Sequence, residues 1–352
     1  MRGRGDRLEA LLAERELDRL LVTDLTNVQY LTGFTGTNGA CVCGPGTRLF
    51  FTDFRYTERA ATEVEGWEPI TVEGDWLGAI AARLEGRAGF EDDQMAVRTL
   101  EKLQGKLADG VEAVAAGGLV ERLRRVKDAE ELAAIAAASE LADEVWKWSI
   151  GRGLAGRSER EVARAAEARI RALGGDPSFP AIVAAGPNGA LPHAEPGERE
   201  IGRGELVVFD MGAKLDGYCS DGTRTYATGD PGEEGRAVYE VVLAAQLAAL
   251  DAIEAGVNGE AVDAVARKLI DEAGHGDRFG HGLGHGVGLE VHEGPRLSLR
   301  SDDVLAPNEV VTVEPGVYLP GKLGVRIEDL VVVTESGCTN LSGLPKELQI
   351  VE

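Results

Sequence analysis

Cysteine is scarce in this chain: 352 residues hold four, Cys41, Cys43, Cys219 and Cys338. Cys41 and Cys43 sit too close together for an ordinary bridge, and four scattered thiols make no disulfide framework, so reduced thiols and a cytoplasmic setting are expected. No run of about 18 apolar residues occurs, and the opening "MRGRGDRLEALLAERELDRLLV" alternates charges with leucines as an amphipathic helix does, without the apolar block of a signal peptide. Basic residues are outnumbered, 37 against 60 acidic, for a net charge of -23. That balance repels phosphate backbones and anionic lipid, which excludes nucleic acid and membrane surfaces as partners. The acidity itself reads as a solubilising surface. The common zinc-protease signature is also missing, because "VHEGP" has no second histidine at the required spacing. No phosphate-cradling loop or Gly-x-Ser-x-Gly elbow is present either.

What is present suffices for two cores, since 43% of the residues are hydrophobic and the length suggests two domains. Up to about residue 120, short β-rich runs ("RLLVT", "RLFFT") mix with helical patterns such as "LGAIAARLEG", which reads as a small α/β domain. A long helix is expected from about Lys127, and another at "SEREVARAAEARIRALGG", where Ser158 and Glu161 have capping-box spacing and Gly174 marks the stop. Strands and loops follow from about Ala181, then two more helices, then strands to the end. Runs of helix beside runs of strand predict an α+β domain. The domains are placed at 1–123 and 124–352.

The second half contains an internal echo. "ELVVFDMGAKLDGYCSDGTRTYAT" begins at Glu205 and "EVVTVEPGVYLPGKLGVRIEDLVVVT" at Glu309. In each, a β-rich run ends five residues on in an acid followed within two by glycine, and a second acid comes eleven or fourteen residues after the first. Each copy reads as a strand, a turn and a returning strand that present two carboxylates near one place. Aspartate and glutamate are disfavoured in strands of valine and phenylalanine, and a carboxylate there costs several kcal/mol unless a cation or strong donors compensate it. Four such acids, Asp210, Asp221, Glu314 and Glu328, match two divalent cations in charge. The competing explanation is pairing with Arg224 or Arg326.

Three of the five histidines fall in "HGLGHGVGLEVHEGP", His281 to Pro295, with glycine at every second position through its first eight residues. Read with period two, His281, Leu283, His285, Val287 and Leu289 face one way, and the glycines leave the other side bare for close approach of a backbone or ligand. A neutral imidazole from this segment completes a mixed nitrogen and oxygen shell of the kind manganese, cobalt or zinc accepts. His193, in the loop "LPHAEPG", joins the candidates, and His275 is set aside as an ordinary helix-end residue.

These segments, "LPHAEPG", "VVFDMGAKLDGYCSDGTRT", "FGHGLGHGVGLEVHEGP", "VVTVEPGVY" and "VRIEDLVVV", resemble in order the signatures of the Xaa-Pro aminopeptidase and Xaa-Pro dipeptidase (prolidase) family, whose relatives include creatinase and methionine aminopeptidase. "NVQYLTGFTGTNG" and "FTDFRYTERA" are similar to the N-terminal domain of the Xaa-Pro peptidases, so the resemblance covers nearly the whole chain. It implies a pita-bread catalytic domain behind a smaller creatinase-like α/β domain. It further implies Asp210, Asp221, His285, Glu314 and Glu328 as metal ligands, with Asp221 and Glu328 bridging two ions, Asp210 on one, and His285 with Glu314 on the other. His193, His281 and His292 fall where the family has active-site histidines that are not ligands. After His193 the chain reads "AEPGERE" where many relatives have a shorter turn.

The resulting expectation is a metallopeptidase that cleaves the bond between an N-terminal residue and proline through a hydroxide bridging two divalent ions, manganese or cobalt first, zinc or iron after them. Glu314 is the expected proton acceptor, His292 and His281 the donors to the oxyanion or leaving group, and His193 the group that orients the substrate backbone. Tyr218 and Arg326 are candidates for supporting roles beside the ligands. The substrate is a proline-containing dipeptide or longer peptide, and a homodimer is implied by resemblance. Two alternatives are a metal-free creatinase-like amidinohydrolase and a non-catalytic peptide-binding module of the same fold; a complete set of five ligands argues against both.

Overall fold

The structure is a computed structural model that describes residues 3–351. The chain forms two compact units, Met1–Arg124 and Arg125–Glu352. Among the described residues no helix is long and apolar enough to cross a membrane.

The first unit is built on six strands, β1 (Arg19–Val22), β2 (Ala40–Gly44), β3 (Thr47–Thr52), β4 (Glu68–Thr71), β5 (Arg87–Phe90) and β6 (Glu112–Ala115), in the spatial order β4-β3-β2-β1-β5-β6. The tight turn between β2 and β3 forces an antiparallel pair, whereas β1 to β5, β3 to β4 and β5 to β6 run parallel and need crossovers. Those crossovers carry helices, as the mixed pattern predicts: α1 (Arg4–Glu14) precedes the sheet, and α2 (Leu25–Thr32), α3 (Thr57–Glu63), α4 (Trp76–Ala81), α5 (Val97–Gln104) and α6 (Leu119–Arg125) follow in turn. In the register Leu21 faces Val42 and Val42 faces Leu49, and this face packs with Ile80 and Leu103 into one core. The alternate residues Leu20, Cys41, Cys43 and Phe50 are buried too, as expected of a sheet covered on both sides.

The second unit opens with α7 (Ala129–Ile150), capped by Asp128 in a reciprocal box with Glu131, and α8 (Glu159–Ala172), capped by Ser158 with Glu161 as the sequence predicts. Short strands β7 (Asp176–Pro177) and β8 (Ile182–Ala185) lead to β9 (Leu206–Asp210), β10 (Ala213–Leu215), β11 (Tyr218–Cys219) and β12 (Thr223–Ala227). Two helices, α9 (Gly232–Asp251) and α10 (Gly259–Glu272), separate these from β13 (Gly284–Gly286), β14 (Glu293–Leu297), β15 (Val310–Val313), β16 (Gly316–Leu319), β17 (Leu323–Arg326), β18 (Asp329–Thr334) and β19 (Gly337–Asn340).

The echo in the sequence is an echo in the fold. β9 pairs with β12, with Asp210 opposite Thr223, and β15 pairs with β18, with Val313 opposite Asp329. Inside each pair sits a smaller hairpin, β10 with β11 and β16 with β17. Asp210 ends β9 and Glu314 follows β15; Asp221 precedes β12 and Glu328 precedes β18. A bridge between Thr223 and Glu328 joins the two copies at their centre, which brings four acids to one place.

The glycine-rich stretch departs from a regular strand. Only Gly284–Gly286 is extended, and a bulge between His285 and Gly286 breaks the alternation, so Leu283 and Val287 enter different parts of the core. The bare glycine side has the function predicted for it. A Cβ on Gly284 would lie 2.0 Å from the Thr312 carbonyl oxygen, and one on Gly286 would lie 2.0 Å from that of Gly294, so β15 and β14 approach as no other residue would permit.

Candidate metal centre

Asp210, Asp221 and Glu328 are buried, each at most 8% exposed, and come together with His285 and Glu314 in a cavity of about 530 Å³. Three overlapping groups, Asp210 with Asp221 and Glu328, His285 with Glu314 and Glu328, and Asp221 with His285 and His292, each place their ligand atoms within 4.8 Å of one another. His285 Nε2 lies 3.3 Å from Glu314 Oε1 and 3.6 Å from Asp221 Oδ2. Its other nitrogen, Nδ1, is 3.1 Å from the Gly286 carbonyl, a contact that fixes the ring with Nε2 turned toward the carboxylates.

The electrostatics of this cluster ask for a cation. Burial, aided by neighbouring carboxylates, raises the pKa of Asp210 and pushes those of Asp221 and Glu328 well above the usual range. Burial acts on Glu314 in the same direction, but its hydrogen bond and charge interaction with His285 hold it down to about 2. Among the described residues Asp210 Oδ1 and Glu328 Oε1 are buried with no hydrogen-bond partner. Unpartnered carboxylate oxygens in a dry site are costly, and they are the atoms a divalent ion would take. The donor set of four carboxylates and one imidazole therefore fits hard or borderline divalent ions.

Supporting groups hold the clustered side chains in place. Arg326, on β17, donates from Nη2 to Asp210 Oδ2 (2.5 Å), from Nε to Thr223 Oγ1 (3.0 Å), and from Nη1 to Tyr318 Oη (3.0 Å) and the Pro192 carbonyl (3.1 Å). Thr223 in turn donates to Glu328 Oε2 at 2.7 Å. Across the cluster, Thr312 Oγ1 accepts from the His285 backbone N–H (3.1 Å) and donates to Glu314 Oε1 (3.1 Å). One guanidinium and two threonine hydroxyls thus orient Asp210, Glu328 and Glu314, and a single cation against four acids leaves a large negative excess.

The competing explanation from sequence holds in part, because Arg326 pairs with Asp210. Arg224 does not compete: it is turned away, pairing with Asp329 at 2.7 Å and donating to the Leu344 and Pro345 carbonyls. Tyr218 is also corrected. It stands on β11 and donates to Glu131 Oε1 at 2.9 Å, outside the cavity wall, because the β10–β11 hairpin directs it toward α7. The tyrosine at the site is Tyr318, which sequence reasoning missed. It was within reach: the turn in "GVYLPGKLGVR" sets a register in which Gly316 faces Arg326, making Tyr318 the diagonal neighbour.

The remaining histidines separate by environment. His281 lines the cavity, yet its Nδ1 lies 2.8 Å from the Gly282 carbonyl and its Nε2 2.8 Å from Tyr318 Oη, so both ring nitrogens are engaged. Nδ1 then carries the proton and Nε2 accepts from the tyrosine, a neutral state favoured by burial, which lowers the His281 pKa. His292 packs edge-on to His285, ring centroids 4.4 Å apart, and burial lowers its pKa as well. His193 also lines the cavity, with Phe179, Ile182 and Pro192 on the apolar wall and Arg296 and Ser298 on the polar one. His275 lies at the start of a short turn after α10 and does not reach the cavity.

Comparison with known proteins bears out the fold. Residues 133–335 match metallopeptidase family M24, and residues 4–126 match the creatinase/prolidase N-terminal domain. The chain is 36% identical over 353 residues to the Xaa-Pro dipeptidase of Pyrococcus furiosus, across 99% of this chain and 100% of the relative. The solved structure of the Xaa-Pro dipeptidase from Bacillus anthracis matches with a TM-score of 0.96 at 38% identity over 99% of each chain. The X-Pro aminopeptidase from Thermotoga maritima matches at 0.91 and 35% identity, over 99% of this chain and 100% of that one. With its creatinase-like first domain, its pita-bread second domain and a carboxylate and imidazole cluster suited to divalent metal, the chain belongs to metallopeptidase family M24 and is a hydrolase of that family.

Proposed function

We propose that this enzyme hydrolyses Xaa-Pro dipeptides, with two divalent ions, manganese or cobalt ahead of zinc or iron, held by Asp210, Asp221, His285, Glu314 and Glu328. The observation that carries the metal assignment is the pair of buried, unpartnered oxygens, Asp210 Oδ1 and Glu328 Oε1, at the centre of the cluster. Two ions rather than one follow from charge, since four carboxylates against Arg326 alone need more than a single dication. When bound, the ions supply Lewis acidity for the scissile carbonyl and a water of lowered pKa.

The protein groups carry the rest. Glu314, ionised at neutral pH, accepts the proton of the attacking water and delivers it to the proline nitrogen that leaves. His292 is neutral, retains one ring N–H, and donates it to the oxygen that gains charge. His281 contributes differently from the expectation: with both nitrogens engaged, it buttresses Tyr318, which also binds Arg326. His193, on a loop beside the apolar wall, orients the substrate backbone.

Dipeptide is favoured over longer peptide by Arg296. It is exposed on β14, lines the cavity and no hydrogen bond or ion pair of its guanidinium occurs among the described residues. A free guanidinium there suits the terminal carboxylate of Xaa-Pro, which a longer peptide lacks at that position. The test compares proline release from Xaa-Pro with loss of the first residue from Xaa-Pro-Xaa, both with manganese, for the parent and Arg296→Met. The reading requires dipeptide cleavage whose KM rises about 10-fold or more in the variant; preference for the tripeptide in the parent refutes it. We further place the enzyme in the cytoplasm as a homodimer: the four cysteines are free, as a reducing compartment would keep them, and the family resemblance supports the dimer.

A further inference from the structure

The strand that carries His285 has little of its own to hold it. Gly280, Gly282, Gly284 and Gly286 alternate through it, and only Gly284–Gly286 joins a sheet. Glycine has the greatest backbone freedom to lose, so a ligand on such a segment needs an external anchor.

That anchor is on α10. Asp263, fully buried, accepts the Leu283 backbone N–H at Oδ1 (3.0 Å), and Arg267, one turn on, grips both Asp263 oxygens through Nε (2.7 Å) and Nη2 (2.9 Å). The same guanidinium donates from Nη1 to the Phe279 carbonyl (2.8 Å) and from Nη2 to the His281 carbonyl (2.9 Å). It also lies 4.2 Å over the Phe279 ring, which meets the His281 ring edge-on at 5.0 Å. Three alternate backbone groups, at residues 279, 281 and 283, are thereby fixed to one rigid helix just before His285. In the other half, Glu167 stands nine residues beyond the Ser158 cap, as Arg267 stands nine beyond Asn258, and it too reaches forward, accepting the Ala181 N–H at 3.1 Å. The segment it holds carries no imidazole ligand.

We propose that Asp263 and Arg267 are positioning residues that hold the glycine-rich segment so that His285 is preorganised for metal and His281 for Tyr318. This rests on the metal-site reading above. The planar fork of arginine is what lets one side chain serve a carboxylate and two carbonyls in different directions.

The test is titration of chelator-stripped full-length protein with manganese chloride, followed by calorimetry, beside thermal melting and steady-state kinetics on Xaa-Pro. Arg267→Lys keeps the charge opposite Asp263 but loses the fork. The double variant Asp263→Asn/Arg267→Met removes the buried charge pair while leaving an oxygen for Leu283. Val262→Ala, in the fully buried core on the same helix, is the structural control. Both pair variants should bind manganese about 10-fold or more weakly, the scale of ligand-orienting partners, with kcat lowered and the KM for dipeptide held. Val262→Ala should melt lower yet bind manganese as the parent does. Parent-like manganese affinity in both pair variants, or an equal loss in Val262→Ala, overturns the inference. Failure of the parent to bind manganese refutes the metal-site reading instead.

Discussion

Asp210 and Glu328 each use one oxygen on a protein partner, Arg326 and Thr223 respectively, and keep the other bare. That division means that neither acid is used up by its protein partner: the protein orients the carboxylate and leaves a lone pair for something it does not itself provide. Asp210→Ala should therefore lose metal at one site and cut turnover by orders of magnitude. His292 differs, since it stands beside His285 with a ring edge on the cavity. His292→Ala should retain the parent's metal content by elemental analysis while kcat falls about 10²–10⁴-fold, the range for a removed proton donor; large metal loss would make His292 a ligand. The acids that meet in the cluster were legible in sequence because carboxylates in valine runs contradict strand chemistry. Thr223 and Thr312 were not, because threonine is at home in strands and nothing marks one that orients a carboxylate.

At the scale of elements, the two double hairpins bring the acids together and the glycine strand supplies the imidazole. The hairpins could be read from spacing alone, since each β-run ended in an acid and returned through a glycine turn. The bulge after His285 could not, nor could the helix anchors, because Arg267 binds backbone carbonyls that no side-chain pattern reveals. The close contact of Gly284 with β15 yields a sharp expectation. Gly284→Ala puts a Cβ 2.0 Å from the Thr312 carbonyl oxygen, so β13 must move away from β15 and carry His285 with it. Manganese affinity should drop at least about 10-fold and the melting temperature with it; a variant that binds metal as the parent does would show that the strand spacing is not what sets His285.

For the whole molecule, the first unit offers a pH signature separate from the metal site. Glu91 is buried on the strand end after β5, accepting from the Thr23 and Asp24 backbone N–H groups (2.6 and 2.8 Å) and from Asn27 (2.8 Å). Burial outweighs these bonds and raises its pKa to about 7. A carboxyl whose folded value lies above its unfolded value holds a proton in the fold that the unfolded chain has released. Its stabilisation is complete below the unfolded value of about 4.5 and is lost as pH rises through about 7. Melting temperature should fall between about pH 4.5 and about pH 7, and Glu91→Gln should flatten part of that fall; identical slopes in the two proteins would contradict the assignment. The division into units was legible from composition, whereas the Glu91 network was not, since its partners lie more than sixty residues away in sequence.

The two-ion centre is tested most directly by proline release from an Xaa-Pro dipeptide by chelator-stripped enzyme to which manganese is returned stepwise. The stripped protein should release none, and recovery should saturate at two equivalents per chain. Release that survives stripping, or full recovery at one equivalent, would contradict a two-ion centre.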